Sequence, residues 1–156
     1  MQAEPSRTGW TGGCQCGAVR YRLDAEPRGA NICHCRMCQK AGGAPFMAFT
    51  GVPTAQFVVT HGRIATFTSS DIAERGFCSA CGTPLTYRGL NDDRISVTIG
   101  SLDEPNTVEP TIQLGIESRV NWLMGALGLR SMRTEEWMAR NNIVAIQNRQ
   151  HPDREN

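Results

Sequence analysis

A mainly β domain with short helices is the fold the sequence predicts, and three observations predict it. Apolar and polar residues alternate over short runs. Glycine and proline separate those runs, and seven cysteines in three groups offer ligands that would tie them together. The first run is Ala18 to Leu23, AVRYRL, which places Val19, Tyr21 and Leu23 on one side and Arg20 and Arg22 on the other. Phe46 to Thr50, Gln56 to Thr60 and Arg63 to Thr68 follow as strands, with GVP and HG as the turns between them. Leu85 to Arg88 and Arg94 to Ile99 complete the series. One short helix is expected from about Arg36 until Gly42 and Gly43 stop it. Trp122 to Leu129 is a weaker helical stretch, because Gly125 and Gly128 interrupt it. We expect residues 1–9 to be an N-terminal extension, 10–135 the domain, and 136–156 a C-terminal extension ending in a polar tail.

Composition narrows the class. The chain has 156 residues, 40% of them apolar and 20% charged, which suits one globular domain with its own core. Its net charge is +1 and no long run of one sign occurs, so nucleic acid and anionic membrane are not expected partners. The opening MQAEPSRTGWTGG lacks the apolar centre of a signal peptide, and no stretch approaches the ~20 apolar residues that span a bilayer. The expectation is a soluble, cytoplasmic protein.

Seven cysteines are many for such a chain, and an odd number leaves one outside any set of disulfides. Metal ligation accounts for them better. The groups are Cys14-Gln15-Cys16, Cys33-His34-Cys35-Arg36-Met37-Cys38 and Cys78-Ser79-Ala80-Cys81. In an extended segment Cys14 and Cys16 share a face, and a C-x-x-C turn brings Cys78 and Cys81 to one ion at ~2.3 Å. Together they make a closed four-thiolate zinc site that would contribute directly to folding.

In the middle group Cys33 and Cys35 share a face and Cys38 returns one helical turn later. His34 points the opposite way in an extended run and is not counted as a ligand. Three protein ligands leave a position for substrate, the pattern of a catalytic zinc. Three thiolates on a divalent ion carry a net negative charge, which makes a weak activator of water and a good acceptor of another thiol. Arg36 and Lys40 are candidate cations to offset that charge, or plain surface cations. A redox C-x-x-C pair, an iron–sulfur site, and a second structural zinc completed by His61 or a partner chain are the competing readings.

The segments GGCQCGAVRY, CHCRMCQKAGGAPF, FCSACGTPLTYR and IGSLDEP resemble the glutathione-dependent formaldehyde-activating family, also called the centromere protein V/GFA domain, over about residues 10 to 123. The resemblance implies a zinc β-tent fold with two Zn2+ per chain. It implies that Cys14, Cys16, Cys78 and Cys81 hold a structural zinc, and that Cys33, Cys35 and Cys38 hold a catalytic zinc engaged by glutathione. The implied reaction is reversible formation of S-hydroxymethylglutathione from formaldehyde and glutathione, a carbon–sulfur lyase activity. Gln39 stands before Lys40 where many relatives carry a basic residue. A noncatalytic interaction module with two structural zincs is the alternative, and an oligomer is compatible with either. Glu117 and Arg119 read as a surface pair, Trp122 and Trp137 as core or interface anchors, and His61 as a turn residue.

Overall fold

The computed structural model describes residues 10–154, and the expected N-terminal extension lies outside them. Ten strands and two short α-helices are present among the described residues. In chain order they are β1 (Trp10–Gly13), β2 (Arg20–Leu23), β3 (Arg28–Cys33), α1 (Arg36–Gly42), β4 (Met47–Pro53) and β5 (Phe57–His61). Then come β6 (Ala65–Ser70), β7 (Ala73–Phe77), β8 (Pro84–Gly89), β9 (Arg94–Thr98), β10 (Ile112–Leu114) and α2 (Thr134–Arg140). The mainly β expectation holds. Strands β1-β2-β5 form a three-stranded sheet, and β10-β3-β4-β9-β8-β7-β6 form a seven-stranded one. All pairings are antiparallel except β10 with β3, which run parallel in the register Leu114 opposite Cys33.

Strand β4 sits between β3 and β9 and explains where the core divides. Its side chains alternate between faces, as the pleat requires. Thr50 and Val52 are fully buried, and Val52 joins the larger core with Val19, Tyr21, Leu23, Leu85, Val97, Ile99 and Leu102. That cluster draws on both sheets, so it packs one against the other. Each large side chain in it contributes about 1.5–3 kcal/mol by leaving water. Met47 and Phe49 leave the opposite face of β4 and form a smaller cluster with Cys38, flanked by Cys33, Cys35 and Tyr87.

The alternation in AVRYRL places Val19, Tyr21 and Leu23 inside, as expected. Tyr21 Oη donates to Ser101 Oγ at 2.7 Å, and Ser101 Oγ donates to the Thr98 carbonyl at 2.8 Å. Arg20, on the other face, is also buried. It grips Asp103 through Nη1–Oδ1 at 2.9 Å and Nη2–Oδ2 at 2.5 Å, and the Thr11 hydroxyl donates to the same carboxylate at 2.6 Å.

Two local expectations need correction. The GVP segment is not a turn: β4 runs through Gly51 and Val52 to Pro53, because all three pair with β9 and only Pro53 reaches the strand end. The weak helical stretch is present as a 3₁₀ helix, Asn121–Gly128, consistent with two glycines in eight residues. Trp122 and Trp137 are not core anchors, for both are exposed, as are Met124, Leu127 and Leu129. Strands β1, β3, β7 and β10 were not expected, since each carries glycine or has only three residues. No helix among the described residues is long and apolar enough to cross a membrane.

Removing one member of a buried, bidentate ion pair strands the other charge, which costs roughly 3–5 kcal/mol. Asp103→Ala should therefore lower unfolding stability by about that amount in denaturant titrations with excess zinc, and an effect below ~1 kcal/mol would contradict this account.

Candidate metal centres

The chain brings its seven cysteines to two places. Cys14, Cys16, Cys78 and Cys81 form one group, and Cys33, Cys35 and Cys38 form the other. Within each group the sulfurs lie within 4.8 Å of one another, and all seven are free of disulfides.

The first group is made by two facing turns. Cys14 follows β1 in a turn closed by Gly17 N–H to the Cys14 carbonyl at 3.1 Å, so it is this turn, not strand alternation, that brings Cys16 beside it. The second turn is closed by Gly82 N–H to the Cys78 carbonyl at 2.8 Å and by Cys78 N–H to the Thr83 carbonyl at 3.0 Å. Thr83 joins the two: its Oγ1 accepts from Gln15 N–H at 3.0 Å and its hydroxyl faces Cys81 Sγ at 3.2 Å. Sulfur separations of 3.6 Å (Cys14–Cys16) and 3.9 Å (Cys16–Cys78) bracket the edge of about 3.8 Å that a tetrahedron of Zn–S bonds of ~2.3 Å demands. The donor set fits a closed tetrahedral ion. The chain beyond α2 returns here, where His151 N–H donates to the Gln15 carbonyl at 2.7 Å and Arg20 Nη2 donates to the Arg154 carbonyl at 2.9 Å.

The second group is assembled by two elements. Cys33 ends β3, Cys35 is the N-cap of α1, and Cys38 lies in its first turn, with Cys38 N–H directed at Cys35 Sγ at 3.5 Å. The helix forms over RMCQKAG and ends on Gly43, whose φ of 59° supplies the left-handed cap expected from the glycine pair. His34 points away from the sulfurs, as expected: it is 1% exposed, its Nε2 donates to Gln113 Oε1 at 2.9 Å, and its ring meets Phe46 edge-on. Strand β10 closes this end. His34 N–H donates to the Leu114 carbonyl at 2.9 Å, and Gly115 then passes so close that a Cβ there would lie 2.7 Å from Cys35 N. At φ 63° Gly115 also adopts a conformation that side chains resist.

Several sequence candidates fall elsewhere. His61 ends β5 in the other sheet and is not in the cluster, which removes it as a fourth ligand. Gln39 is buried and structural, donating to the His34 carbonyl at 2.6 Å and the Ser118 carbonyl at 2.8 Å, while Arg36 donates to its Oε1. Lys40 is exposed, and neither Glu117 nor Arg119 lines the cleft beside the sulfurs. That cleft has a volume of about 210 Å³, with Cys33, Cys35, Cys38, Arg75, Tyr87 and Leu114 among its walls. Arg75 is the residue that sequence reasoning missed. It sits in β7, 37 residues from Cys38, and only the register Arg75 opposite Tyr87 brings it to the site.

Burial pushes the Cys38 thiol up to about 12, against the pull of the Arg75 hydrogen bond, and burial likewise pushes Cys14 up to about 12. Burial also works upward on Cys81 and Cys35, but hydrogen bonds prevail. Thr83 and Cys16 bring Cys81 down to about 6, and the Cys38 N–H with neighbouring sulfurs lowers Cys35. Cys14 and Cys38 therefore hold protons at neutral pH that a bound metal must displace. Zinc affinity should rise as pH goes from 6 to 8, with proton release on uptake, in competition against a chromophoric chelator at several pH values. A pH-independent affinity would contradict this. Gly115→Ala should press on Cys35 and lower metal occupancy by about one ion per chain, measured by elemental analysis; full occupancy of both sites would refute the close-packing argument.

Comparison with known proteins agrees with the cysteine pattern. Residues 9–118 match the family described as glutathione-dependent formaldehyde-activating enzyme. The chain is 33% identical over 82 residues to an uncharacterized lyase of Schizosaccharomyces pombe, covering 53% of this chain and 59% of that one. It is 36% identical over 84 residues to a candidate glutathione-dependent formaldehyde-activating enzyme of Halomonas elongata, covering 47% and 52% respectively. The matches thus span little more than half the length of these curated relatives. A crystal structure of a Rhodobacter sphaeroides protein shares the fold, with a TM-score of 0.52 and 22% identity over 66% of this chain and 98% of that chain. Two cysteine clusters on a mainly β fold, and a match over most of the chain, place this protein in the glutathione-dependent formaldehyde-activating enzyme family.

Proposed function

We propose that this protein is a zinc-dependent carbon–sulfur lyase acting on the adduct of a small thiol, such as glutathione, with formaldehyde or another small carbonyl compound. The observation that carries the reading is the three-cysteine cluster at the wall of a cleft, with no fourth histidine, cysteine or carboxylate joining it among the described residues. Family membership and the names of the relatives support the same class of chemistry.

Cys14, Cys16, Cys78 and Cys81 serve as the closed structural zinc site, tying the chain after β1 to the turn between β7 and β8. Zinc held by Cys33, Cys35 and Cys38 would supply a soft Lewis acid with a fourth position for the sulfur of the substrate. In the forward direction the thiol sulfur bonds to the carbonyl carbon, the carbon–oxygen double bond becomes single, and the thiol proton ends on that oxygen. The reverse direction breaks the same carbon–sulfur bond. The protein orients the two partners: Cys33 is locked between β4 and β10, and Cys35 and Cys38 are held by the first turn of α1. Leu114, Phe49 and Met37 give the cleft an apolar lining that limits water around the reacting carbon. Seven cysteines without a disulfide support placement in a reducing, cytoplasmic setting.

Cys35→Ser should abolish turnover of a glutathione–formaldehyde adduct while leaving the fold and the metal of the four-cysteine site in place, read by a coupled assay, circular dichroism and metal analysis. Full activity in that variant sinks the proposal. A cobalt-substituted wild-type protein whose absorbance does not respond to glutathione would favour the noncatalytic module instead.

A further inference from the structure

Among the described residues two arginines are buried on strands, and they differ in what neutralises them. Arg20 has the Asp103 carboxylate. Arg75, 8% exposed, has no carboxylate partner among the described residues. Its Nε donates to Ser69 Oγ at 3.0 Å, its Nη1 faces Met47 Sδ at 4.0 Å, and its Nη2 donates to Cys38 Sγ at 3.3 Å. The guanidinium carbon stands 5.0 Å from the centroid of the Tyr87 ring. Hydroxyl, thioether and ring are weak compensation for a permanent charge taken out of water. Cys38 is the one of these partners that belongs to the cysteine cluster, so the charge that faces Arg75 is that of the thiolates a bound metal would gather there.

We propose that Arg75 is a positioning residue of the three-cysteine site, holding the Cys38 sulfur in place and balancing the charge of the cluster so that a further thiolate can enter. The inference rests on the lyase reading for the identity of that entering ligand. Three thiolates around a divalent ion sum to −1, and Arg75 brings the sum to zero. An incoming thiolate then takes the assembly to −1, where without Arg75 it would reach −2 in a partly buried cleft. Arginine suits the task because it stays charged when buried and can spread donors over Cys38, Ser69 and Met47 together. Arg36, whose Nη1 donates to Gln39, and exposed Lys40 do not take this part.

The test compares wild type, Arg75→Met and Arg75→Lys as full-length, cobalt-substituted proteins. Each is titrated with 2-mercaptoethanol and with glutathione, and each is challenged with a chelator to follow metal loss. Arg75→Met should bind both thiols about 10–100-fold more weakly and lose metal from the three-cysteine site correspondingly more readily. Arg75→Lys, which keeps the charge but not the fork, should recover part of the loss. Unchanged affinity for both thiols in Arg75→Met overturns the proposal. Weakening for glutathione alone also overturns it, because the arginine would then be contacting a carboxylate of glutathione. Should Arg75→Met fail to fold, Arg75→Gln takes its place under the same criteria. If wild type ignores both thiols, the lyase reading fails separately. The chelator arm then judges charge balance by itself: faster metal loss in the variant supports it, and the wild-type rate refutes it.

Discussion

Along β4, successive side chains leave opposite faces of the seven-stranded sheet, and both apolar clusters of the protein grow from that constraint. Thr50 and Val52 turn toward the core shared with the three-stranded sheet, while Met47 and Phe49 turn toward α1 and Tyr87. One strand therefore supplies the main core and the floor beneath the three-cysteine cluster. Shifting its register by one residue would exchange the two faces and undo both. The flanking strands inherit the arrangement. Cys33 of β3 pairs with Met47 of β4, and β9 delivers Ile95 and Val97 to the large core.

The two cysteine clusters answer different demands. The four-cysteine group is built from turns, and its partners are backbone amides and Thr83. Its four sulfurs are a full tetrahedral donor set, and its position joins the first strand to a turn more than sixty residues away. The three-cysteine group is built from a strand end and a helix start, and it opens on a cleft. A helix N-cap that is itself one of the three cysteines ties the geometry of the site to the helix, since the same Cys35 sulfur receives the Cys38 amide. Electrostatics separates them further: Arg75 donates directly to a sulfur of the open group, whereas the buried Arg20 near the closed group is paired with Asp103.

Much of the site was legible from residue spacing. C-x-C and C-x-x-C pairs are local devices, and a local device can be read wherever it occurs. The orientation of His34 followed from strand alternation, and the end of α1 from the glycine pair. Short strands such as β7 and β10 were not legible. They carry glycine or only three residues, and pairing orders them, with β6 and β8 for β7 and with β3 for β10. The GVP segment misled for the related reason that glycine and proline mark turns only when no partner strand claims them.

The sequence by itself determined the mainly β class, the division of seven cysteines into four and three, and the family resemblance, because each depends on neighbours a few residues apart. The tertiary structure decided which cation serves the open cluster. Arg36 and Lys40 lie beside the cysteines in the chain, yet one donates to Gln39 and the other is exposed. Arg75 lies far along the chain and reaches Cys38 through the pairing of β7 with β8. Charge acts through space at ångström range, and sequence neighbourhood is no guide to it once sheets bring distant strands together.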